Sequence, residues 1–244
     1  MIDTHAHLDA LDDPHGAIAR ARAAGVDRIV AIASGVASTR ATLALAEAER
    51  GIAVAAGVHP HQAADDESVE EVAALADGKL VAIGEIGLDF YRDYAPREAQ
   101  RRLFTDQLRL AAELGTAVIV HSRAADDETA TALEEFGGTV VLHCFSSPGL
   151  LPVALERGYY VSFAGNVTYP KAAELREAAA KVPPEKVLAE TDCPYLAPQP
   201  VRGRTNEPAY VVHTIASLAE TRDEDPEELG RWIDANAAVA FGLP

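Results

Sequence analysis

Six of the eight histidines lie where an apolar run of the sequence ends and polar residues begin. Such runs are typical of buried strands, and in barrels of alternating strands and helices the carboxyl ends of the strands surround the active site. Neutral imidazoles gathered at that face favour a divalent transition metal. The six are His5, His7, His59, His61, His121 and His143.

His5 and His7 are separated by a single residue, Ala6. On an extended segment, residues two apart point to the same face, so both rings can reach one ion while Ala6 points away. Taken alone, an HxH pair is equally compatible with two incidental polar residues near the N-terminus. Metal binding by this pair becomes the favoured interpretation only together with the other candidate ligands expected at the same face.

Glu85 lies near the end of the apolar run LVAIGEIGLDF, where a carboxylate is costly to bury without a partner or an ion. One carboxylate can offer an oxygen to each of two ions, so Glu85 is a candidate bridge in a binuclear site. The alternative is a buried Glu–Arg ion pair. The nearby Gly84 and Gly87 fit a close approach of the backbone.

His121 and His143 each close a run rich in β-branched residues. A single histidine at a strand end is more often a hydrogen-bonded structural residue, but two such strand ends together with the HxH pair favour metal ligation. Asp192, in VLAETDCPYLAP, is a candidate ligand that also orients a water and accepts its proton. The predicted metal ligands are His5, His7, Glu85, His121, His143 and Asp192, of which Glu85 and Asp192 are also predicted to be catalytic.

Polar residues close to these strand ends are candidates for contacts with a substrate phosphate. Arginines here are equally compatible with surface charges, and histidines with bracing their own loop. Tyr91, Arg92 and Tyr195 are candidates for stacking on a base, although aromatic residues at such positions more often serve packing. The phosphate-contact candidates are His59, His61, Arg123, Arg202 and Asn206.

Cys144 and Cys193 each follow a predicted ligand directly and are therefore tempting as ligands or nucleophiles. If His143 and Asp192 point into the barrel mouth, strand alternation turns the next side chain toward the helical shell. The sequence thus predicts two buried core cysteines that take no part in the chemistry.

Eight short β-rich runs alternate with longer stretches of helical character, an order that favours a closed (β/α)8 TIM barrel over an open sheet. Neither a GxGxxG nor a GxxxxGK[ST] nucleotide loop occurs. We expect one hydrolase domain over residues 1–244. The predicted strands are 1–7, 27–33, 52–58, 80–86, 117–121, 140–143, 159–163 and 187–191.

Three further segments carry predictions. Residues 95–114 predict an amphipathic helix whose buried stripe contains Leu103, Gln107, Leu110, Ala111 and Leu114. Residues 194–208 form a proline-rich loop of a length that is usually functional. Residues 208–243 predict two helices, the second starting near 225–226 with Asp as N-cap and Pro as first helical residue, which adds an extra C-terminal helix.

The formal net charge of −17 disfavours broad electrostatic adhesion to nucleic acid, which depends on many lysines and arginines. Any nucleic-acid contact should therefore be local. Two cysteines are too few for a disulfide framework, and we recognise neither a signal peptide nor a membrane span, so a cytoplasmic location is expected. No obligate protein partner is evident.

Seven motifs in this order resemble the TatD-type metal-dependent deoxyribonucleases of the amidohydrolase superfamily, and the resemblance spans nearly the whole chain. It implies a TIM barrel, a divalent-metal site and hydrolytic, often DNA-directed phosphodiesterase activity. One departure is Ser147, where we expect glycine, which bears on the shape of its loop. The motifs are MIDTHAHLD, GVHPH, GEIGLDFYRD, VIVHSR, HCFS, ETDCPYLAP and PVRGRTNEP.

Residue by residue, the resemblance implies that His5, His7 and Asp192 bind one ion, that His121 and His143 bind the second, and that Glu85 bridges the two. We therefore expect a 3′–5′ exonuclease-like enzyme that acts on single-stranded DNA or DNA ends with two divalent ions. Zn, Mn, Co, Fe and, less comfortably, Mg all suit mixed nitrogen and oxygen ligands.

Two rival functions remain open at this stage. One is a metal-dependent ester or amide hydrolase, such as a D-aminoacyl-tRNA deacylase, whose ligand set would be identical. The other is a non-catalytic metal-binding barrel, which has less need of imidazole and acidic groups converging on one point.

Overall fold

The computed structural model describes residues 1–65, 67–76, 78–92 and 94–244, and eight parallel strands form its single sheet. Each predicted strand is observed at nearly its predicted position, and the fourth extends three residues further than expected. The strands are β1 (Ile2–Ala6), β2 (Arg28–Ser34), β3 (Ile52–Gly57), β4 (Leu80–Asp89), β5 (Ala117–Arg123), β6 (Val140–Leu142), β7 (Tyr160–Phe163) and β8 (Val187–Ala189).

The strands follow one another in chain order from β1 to β8. The circle closes just beyond β8, where Ala6 forms a parallel bridge with Cys193 and the His7 amide donates to the Cys193 carbonyl at 2.9 Å. Parallel neighbours joined by helices, with the last strand segment returning to the first, define a (β/α)8 barrel. The predicted fold class is confirmed.

Helices cover the outside of the barrel, and the chain ends with the expected additional helix. Its N-cap, Asp225, accepts hydrogen bonds from the amides of Glu227 and Glu228, and Pro226 is the first helical residue. The helices are α1 (Pro14–Ala23), α2 (Gly35–Ala48), α3 (Val69–Ala76), α4 (Arg97–Leu114), α5 (Asp126–Ala132), α6 (Leu151–Arg157), α7 (Ala173–Lys181), α8 (Val211–Arg222) and α9 (Pro226–Phe241).

Helix α4 buries a stripe that matches the predicted one only in part: Gln107 and Ala111 are buried as predicted, whereas Leu103 and Leu110 are half-buried. Leu114 is 53% exposed, and the buried stripe runs along Gln100, Phe104, Gln107, Leu108 and Ala111. Two glutamines enter the stripe because their amides satisfy strand-end backbone groups. Gln107 pairs with both backbone groups of Val58, and Gln100 pairs with both of Asp89. Helix α4 thereby fixes the ends of two strands that carry site residues.

Two strands at the barrel mouth contain an irregularity next to a predicted ligand. In β4, Gly84 pairs with Ile119 and Ile86 with Val120, so Glu85 is an extra residue between two paired ones. In β1 the register shifts between Asp3 and Ala6, the segment that contains His5. An extra residue re-aims its side chain relative to a regular strand, which is why such bulges are common beside active sites.

The glycines of β4 allow close backbone packing, as the sequence predicts. A Cβ atom on Gly87, whose φ is +134°, would lie 2.1 Å from the His121 carbonyl oxygen, and one on Gly84 would lie 2.5 Å from Ile119 Cβ. Any larger residue at either position would force β4 and β5 apart. Within the described residues, no helix is both long enough and apolar enough to cross a membrane.

Candidate metal centre

The six predicted ligands converge at the carboxyl ends of β1, β4, β5, β6 and β8, around the carboxylate of Glu85. Glu85 is only 4% exposed, and among the described residues its ionic partners are all histidines, so the alternative of a buried Glu–Arg pair does not hold. The convergence arises because parallel strands end together at one face of the barrel.

Glu85 Oε2 faces His5, His7 and Asp192. His5 Nε2 lies 3.3 Å from His7 Nε2, and each of these nitrogens is 3.6 Å from Glu85 Oε2. Asp192 Oδ1 is 3.8 Å from His5 Nε2 and 3.5 Å from His7 Nε2. A tetrahedron of ~2.1 Å metal–ligand bonds has edges of about 3.4 Å, so this group of atoms suits a single small cation.

Glu85 Oε1 faces a second group of imidazoles. His121 Nδ1 and His143 Nε2 both lie 2.8 Å from this oxygen, and His59 Nε2 lies 3.2 Å from it. The two oxygens of one carboxylate therefore serve different clusters, as a bridging ligand requires. The ring planes of His5 and His143 stack at 3.9 Å between centroids, which brings the two clusters into contact.

Two buried carboxylates behind the second cluster were missed by the sequence analysis. Asp89 Oδ2 lies 3.3 Å from His121 Nε2, and Glu190 Oε1 lies 3.1 Å from His143 Nδ1. Both residues are 0% exposed. In metal sites such carboxylates fix the tautomer and orientation of a ligating histidine. The sequence contained one signal for them, because each is a carboxylate within or beside a strand-like run. Asp89 follows Gly87 and Leu88, and Glu190 lies two residues before Asp192.

The charges of the site are strongly coupled. Burial raises the pKa of the Glu85 carboxyl, but the nearby imidazoles, led by His143 and His59, outweigh burial and hold that pKa well below its usual value. Burial lowers the pKa of the His143 ring, yet Glu85 and Glu190 together raise it well above the ordinary range. Without a cation, the carboxylates thus retain a proton on His143, and a bound cation would replace that proton.

Asp192 closes the first cluster from a strained position. Its φ of +57° lies in the left-handed region, which aspartate tolerates better than most residues, and its amide donates to the His5 carbonyl at 2.9 Å. Burial raises the pKa of its carboxyl, but His7 and His5 outweigh burial and hold that pKa below its usual value, so the group is ionised. The carboxylate is therefore a competent ligand and proton acceptor.

The structure separates the two histidines of the GVHPH motif. His59 points to Glu85 and is largely buried, whereas His61 Nε2 lies 2.8 Å from Asp89 Oδ2 and its ring packs against Tyr94. His61 therefore braces its loop, the alternative that the sequence left open. His59 is the member of the pair that faces the predicted metal ligands.

The remaining phosphate-contact candidates occupy three different environments. Arg123 is partly exposed and lies over the ring of Tyr91, 4.1 Å from its centroid. Arg202 is exposed at the rim, where it donates to the Tyr169 hydroxyl at 2.5 Å. Asn206 is fully buried, and its amide donates to the carbonyls of Thr191 and Tyr195. Contrary to the prediction, Asn206 holds the loop after β8 and is not open to a phosphate.

Only one of the two cysteines has the expected environment. Cys193 is fully buried, as predicted for a core cysteine. Cys144 is only partly buried, and its φ of +42° breaks the strand alternation on which the prediction depended. Burial raises the pKa of its thiol well above the usual value, and Asp192 and Glu190 raise it further, so Cys144 borders the site as an un-ionised thiol.

Ser147, at the position where glycine was expected, is held within its loop by a hydrogen bond. The residue is buried, and its hydroxyl donates to the Ser122 carbonyl at 3.1 Å. The hydroxyl thus links the end of β5 to the loop after β6, which carries His143.

A parallel barrel with two imidazole clusters around one mouth carboxylate has the architecture of a metal-dependent barrel hydrolase. The family model described as TatD related DNase matches residues 2–242. The chain belongs to this family of metal-dependent hydrolases.

Individual relatives agree with this assignment. The chain is 36% identical to an uncharacterized metal-dependent hydrolase, YabD, of Bacillus subtilis, over 100% of this chain and 99% of that protein. It is 39% identical to the 3′-5′ ssDNA/RNA exonuclease TatD of Cronobacter sakazakii, over 92% and 90% of the two chains. The crystal structure of YJJV, a TatD homolog from Escherichia coli K12, superposes with a TM-score of 0.92 at 33% identity, covering 100% of this chain and 98% of that one.

Proposed function

We propose that this protein is a phosphodiesterase that removes nucleotides from the 3′ end of single-stranded DNA with the help of two divalent ions. The proposal rests on one observation: the two carboxylate oxygens of Glu85 face two separate clusters of potential metal ligands. A two-ion site is suited to in-line displacement at phosphorus because it stabilises both the attacking and the leaving oxygen.

The donor set fits such ions. His5, His7 and Asp192 would hold one ion, His121 and His143 the other, and Glu85 would contact both. When bound, the ions supply positive charge for the phosphate and lower the pKa of the attacking water. Asp192 is the proton acceptor for that water, because its carboxylate is ionised and lies at the edge of the first cluster.

Charge distribution favours a strand end over a long duplex. Two divalent ions with the carboxylate ligands Glu85 and Asp192 give about +2, and the outer carboxylates Asp89 and Glu190 bring the filled site close to neutral, whereas the whole chain carries −17. The acidic surface repels an extended polyanion, and salt screens that repulsion beyond ~10 Å. A single strand that meets the protein only at the mouth experiences mainly the local charge.

Two arginine–tyrosine pairs on the rim provide contacts for such a strand. Arg123 lies over Tyr91, which is 65% exposed, and Arg202 lies over Tyr169 at 4.3 Å. In each pair a guanidinium is available to a phosphate and, in the first, an exposed ring face is available to an unpaired base. The names of several relatives, which specify a 3′-5′ ssDNA/RNA exonuclease, support the same substrate class.

The test is hydrolysis of a 5′-labelled single-stranded oligonucleotide with added Mg, Mn or Zn. We expect a ladder that shortens from the 3′ end, no cleavage of a circular single strand, and slower attack on a blunt duplex. RNA and D-aminoacyl-tRNA are tested in parallel to separate phosphodiester from ester hydrolysis.

The matched control for the oligonucleotide assay is Glu98→Gln, which makes the same substitution at an exposed carboxylate of α4, whereas Glu85→Gln changes the proposed bridge. We expect full activity in the first variant and almost none in the second. Deacylation of the aminoacyl-tRNA with no cleavage of any oligonucleotide would transfer the assignment to the ester hydrolase.

A further inference from the structure

The motif GVHPH gives His59 a fixed hydrogen-bonding role. His59 is the N-cap of a short 3-10 turn, Pro60–Gln62, in which Pro60 occupies the first position. The next free amide of the turn belongs to His61, and it donates to His59 Nδ1 at 3.1 Å. An N-cap acceptor of this kind satisfies a backbone donor that the turn itself leaves unpaired.

This cap determines which nitrogen of His59 carries hydrogen. A backbone amide can only donate, so Nδ1 must present a lone pair, and a neutral imidazole then carries its hydrogen on Nε2. This Nε2 lies 3.2 Å from Glu85 Oε1.

The two predicted ligands beside His59 have the opposite arrangement. His121 directs Nε2 to Asp89 and Nδ1 to Glu85 Oε1, and His143 directs Nδ1 to Glu190 and Nε2 to the same oxygen. In both rings an outer carboxylate can accept one N–H, so the nitrogen that faces Glu85 is the one that would present a lone pair to a bound cation. A metal-ligating histidine requires that arrangement.

Position alone would make His59 a third ligand, since donor atoms of His59, Glu85 and His121 lie within 4.8 Å of one another. Ligation through Nε2 would move the hydrogen to Nδ1, where it would oppose the hydrogen of the His61 amide. A buried clash of two donors costs about the 1–3 kcal/mol of an unsatisfied polar group. The turn therefore disfavours ligation by His59.

We infer that His59 is a neutral N–H donor to the substrate phosphate and is not a metal ligand. The inference rests on the proposed function and adds a specific role within it. If Glu85 Oε1 binds an ion, this oxygen is no longer needed as a partner for His59. The Nε2–H of His59 can then donate to an anionic oxygen of the substrate on that side of the carboxylate. A fixed donor aimed at developing negative charge stabilises a transition state without reorganisation.

Three substitutions separate capping from donation. His59→Asn keeps an acceptor for the His61 amide, because asparagine is a strong N-cap, but its side chain is too short to reach Glu85. His59→Gln places an amide N–H near the original Nε2, and His59→Leu removes both functions. We expect turnover on the oligonucleotide to fall ~10²–10³-fold in the Asn and Leu variants and to recover in part with Gln.

Two readouts are independent of turnover. Elemental analysis should find wild-type metal content in His59→Leu and reduced content in His121→Leu. Nitrogen-15 NMR of the metal-free protein should show the Nε2–H tautomer for His59. Loss of an ion from folded His59→Leu, or an Nδ1–H tautomer, would overturn the inference, as would wild-type turnover in His59→Asn.

Calorimetry with inorganic phosphate distinguishes failure of this inference from failure of the proposed function. We expect phosphate to bind the metal-loaded wild-type protein at least ~10-fold more tightly than His59→Leu, the equivalent of about 1.4 kcal/mol. If phosphate binding falls in the variant but wild type cleaves no oligonucleotide, the donor role stands and the substrate assignment is wrong. Equal phosphate binding in both proteins would overturn the donor role.

Discussion

The two oxygens of Glu85 face clusters that are stabilised in different ways. On the Oε1 side, every imidazole has a second partner on its far nitrogen: Asp89 for His121, Glu190 for His143 and the His61 amide for His59. On the Oε2 side, the far nitrogen of His5, Nδ1, is buried without a hydrogen-bond partner within the described residues. Hydrogen bonds to outer groups orient the second cluster, and backbone geometry positions the first.

This difference implies different sensitivities. The Oε1 cluster depends on residues far away in the chain, since His143 and Glu190 are 47 positions apart. The Oε2 cluster depends on the irregularity of β1 and on the left-handed conformation of Asp192. Substitutions that touch one cluster, both clusters or neither should therefore have separable effects on metal content and turnover.

Glu85→Gln should have the largest effect because it acts on both clusters at once. If each ion loses ~10–100-fold in affinity, turnover at limiting metal should fall by ~10²–10⁴-fold and recover in part at high metal concentration. Metal titration with oligonucleotide turnover is the measurement. Loss of a single ion with the other unaffected would show that Glu85 does not bridge.

Asp192→Asn should lower rate more than metal content. The amide keeps the shape of the side chain but cannot accept a proton, so turnover should fall by ~100-fold or more while at least one ion remains bound. Elemental analysis and steady-state rates at saturating metal decide the point. Near wild-type turnover would show that Asp192 is not the proton acceptor and serves at most as a metal ligand.

Glu190→Gln and Asp89→Asn should affect the Oε1 cluster selectively. Each removes the charge that orients one predicted ligand, and we expect the ion of the Oε1 cluster to lose ~10–100-fold in affinity while the other ion is unchanged. Competition with a chromogenic chelator measures the two affinities. An equal loss of affinity for both ions in either variant would show that the two clusters are not stabilised separately.

Asp3→Asn should alter the pH dependence of stability more than activity. Burial raises the pKa of the Asp3 carboxyl from 3.8 to about 8, although hydrogen bonds from Thr191 oppose the rise. Between those values the folded protein retains a proton that the unfolded chain has released, so stability falls as pH increases through this window, by up to ~1.4 kcal/mol per unit. The variant lacks this contribution.

Urea unfolding of the metal-free proteins at pH 5.5, 7 and 8.5 measures that difference. At each increase in pH, the free energy of unfolding of Asp3→Asn should rise relative to that of wild type. The exposed control Asp106→Asn should follow wild type throughout. A constant difference between Asp3→Asn and wild type across the three pH values would show that Asp3 is ionised in the folded protein.

The fold was largely predictable because its signals are local. Eight apolar runs in alternation with helical segments identify the barrel, and strand ends identify the face on which the six candidate ligands meet. The helix stripe of α4 was predicted less well, in part because Gln100, which was not predicted, is buried for its hydrogen bonds to the backbone of Asp89. Hydrophobic periodicity carries no information on such partners.

The sequence by itself determined which residue types meet at the barrel mouth, since strand periodicity and the parallel order of the barrel bring those strand ends together. Only the tertiary structure decided which nitrogen of each imidazole faces Glu85, because the partners that fix the tautomers come from other strands or from the backbone. It also decided the environments of Asn206 and Cys144. Bulges, left-handed residues and long-range hydrogen bonds set side-chain directions there, and none of these follows from the pattern of apolar and polar residues.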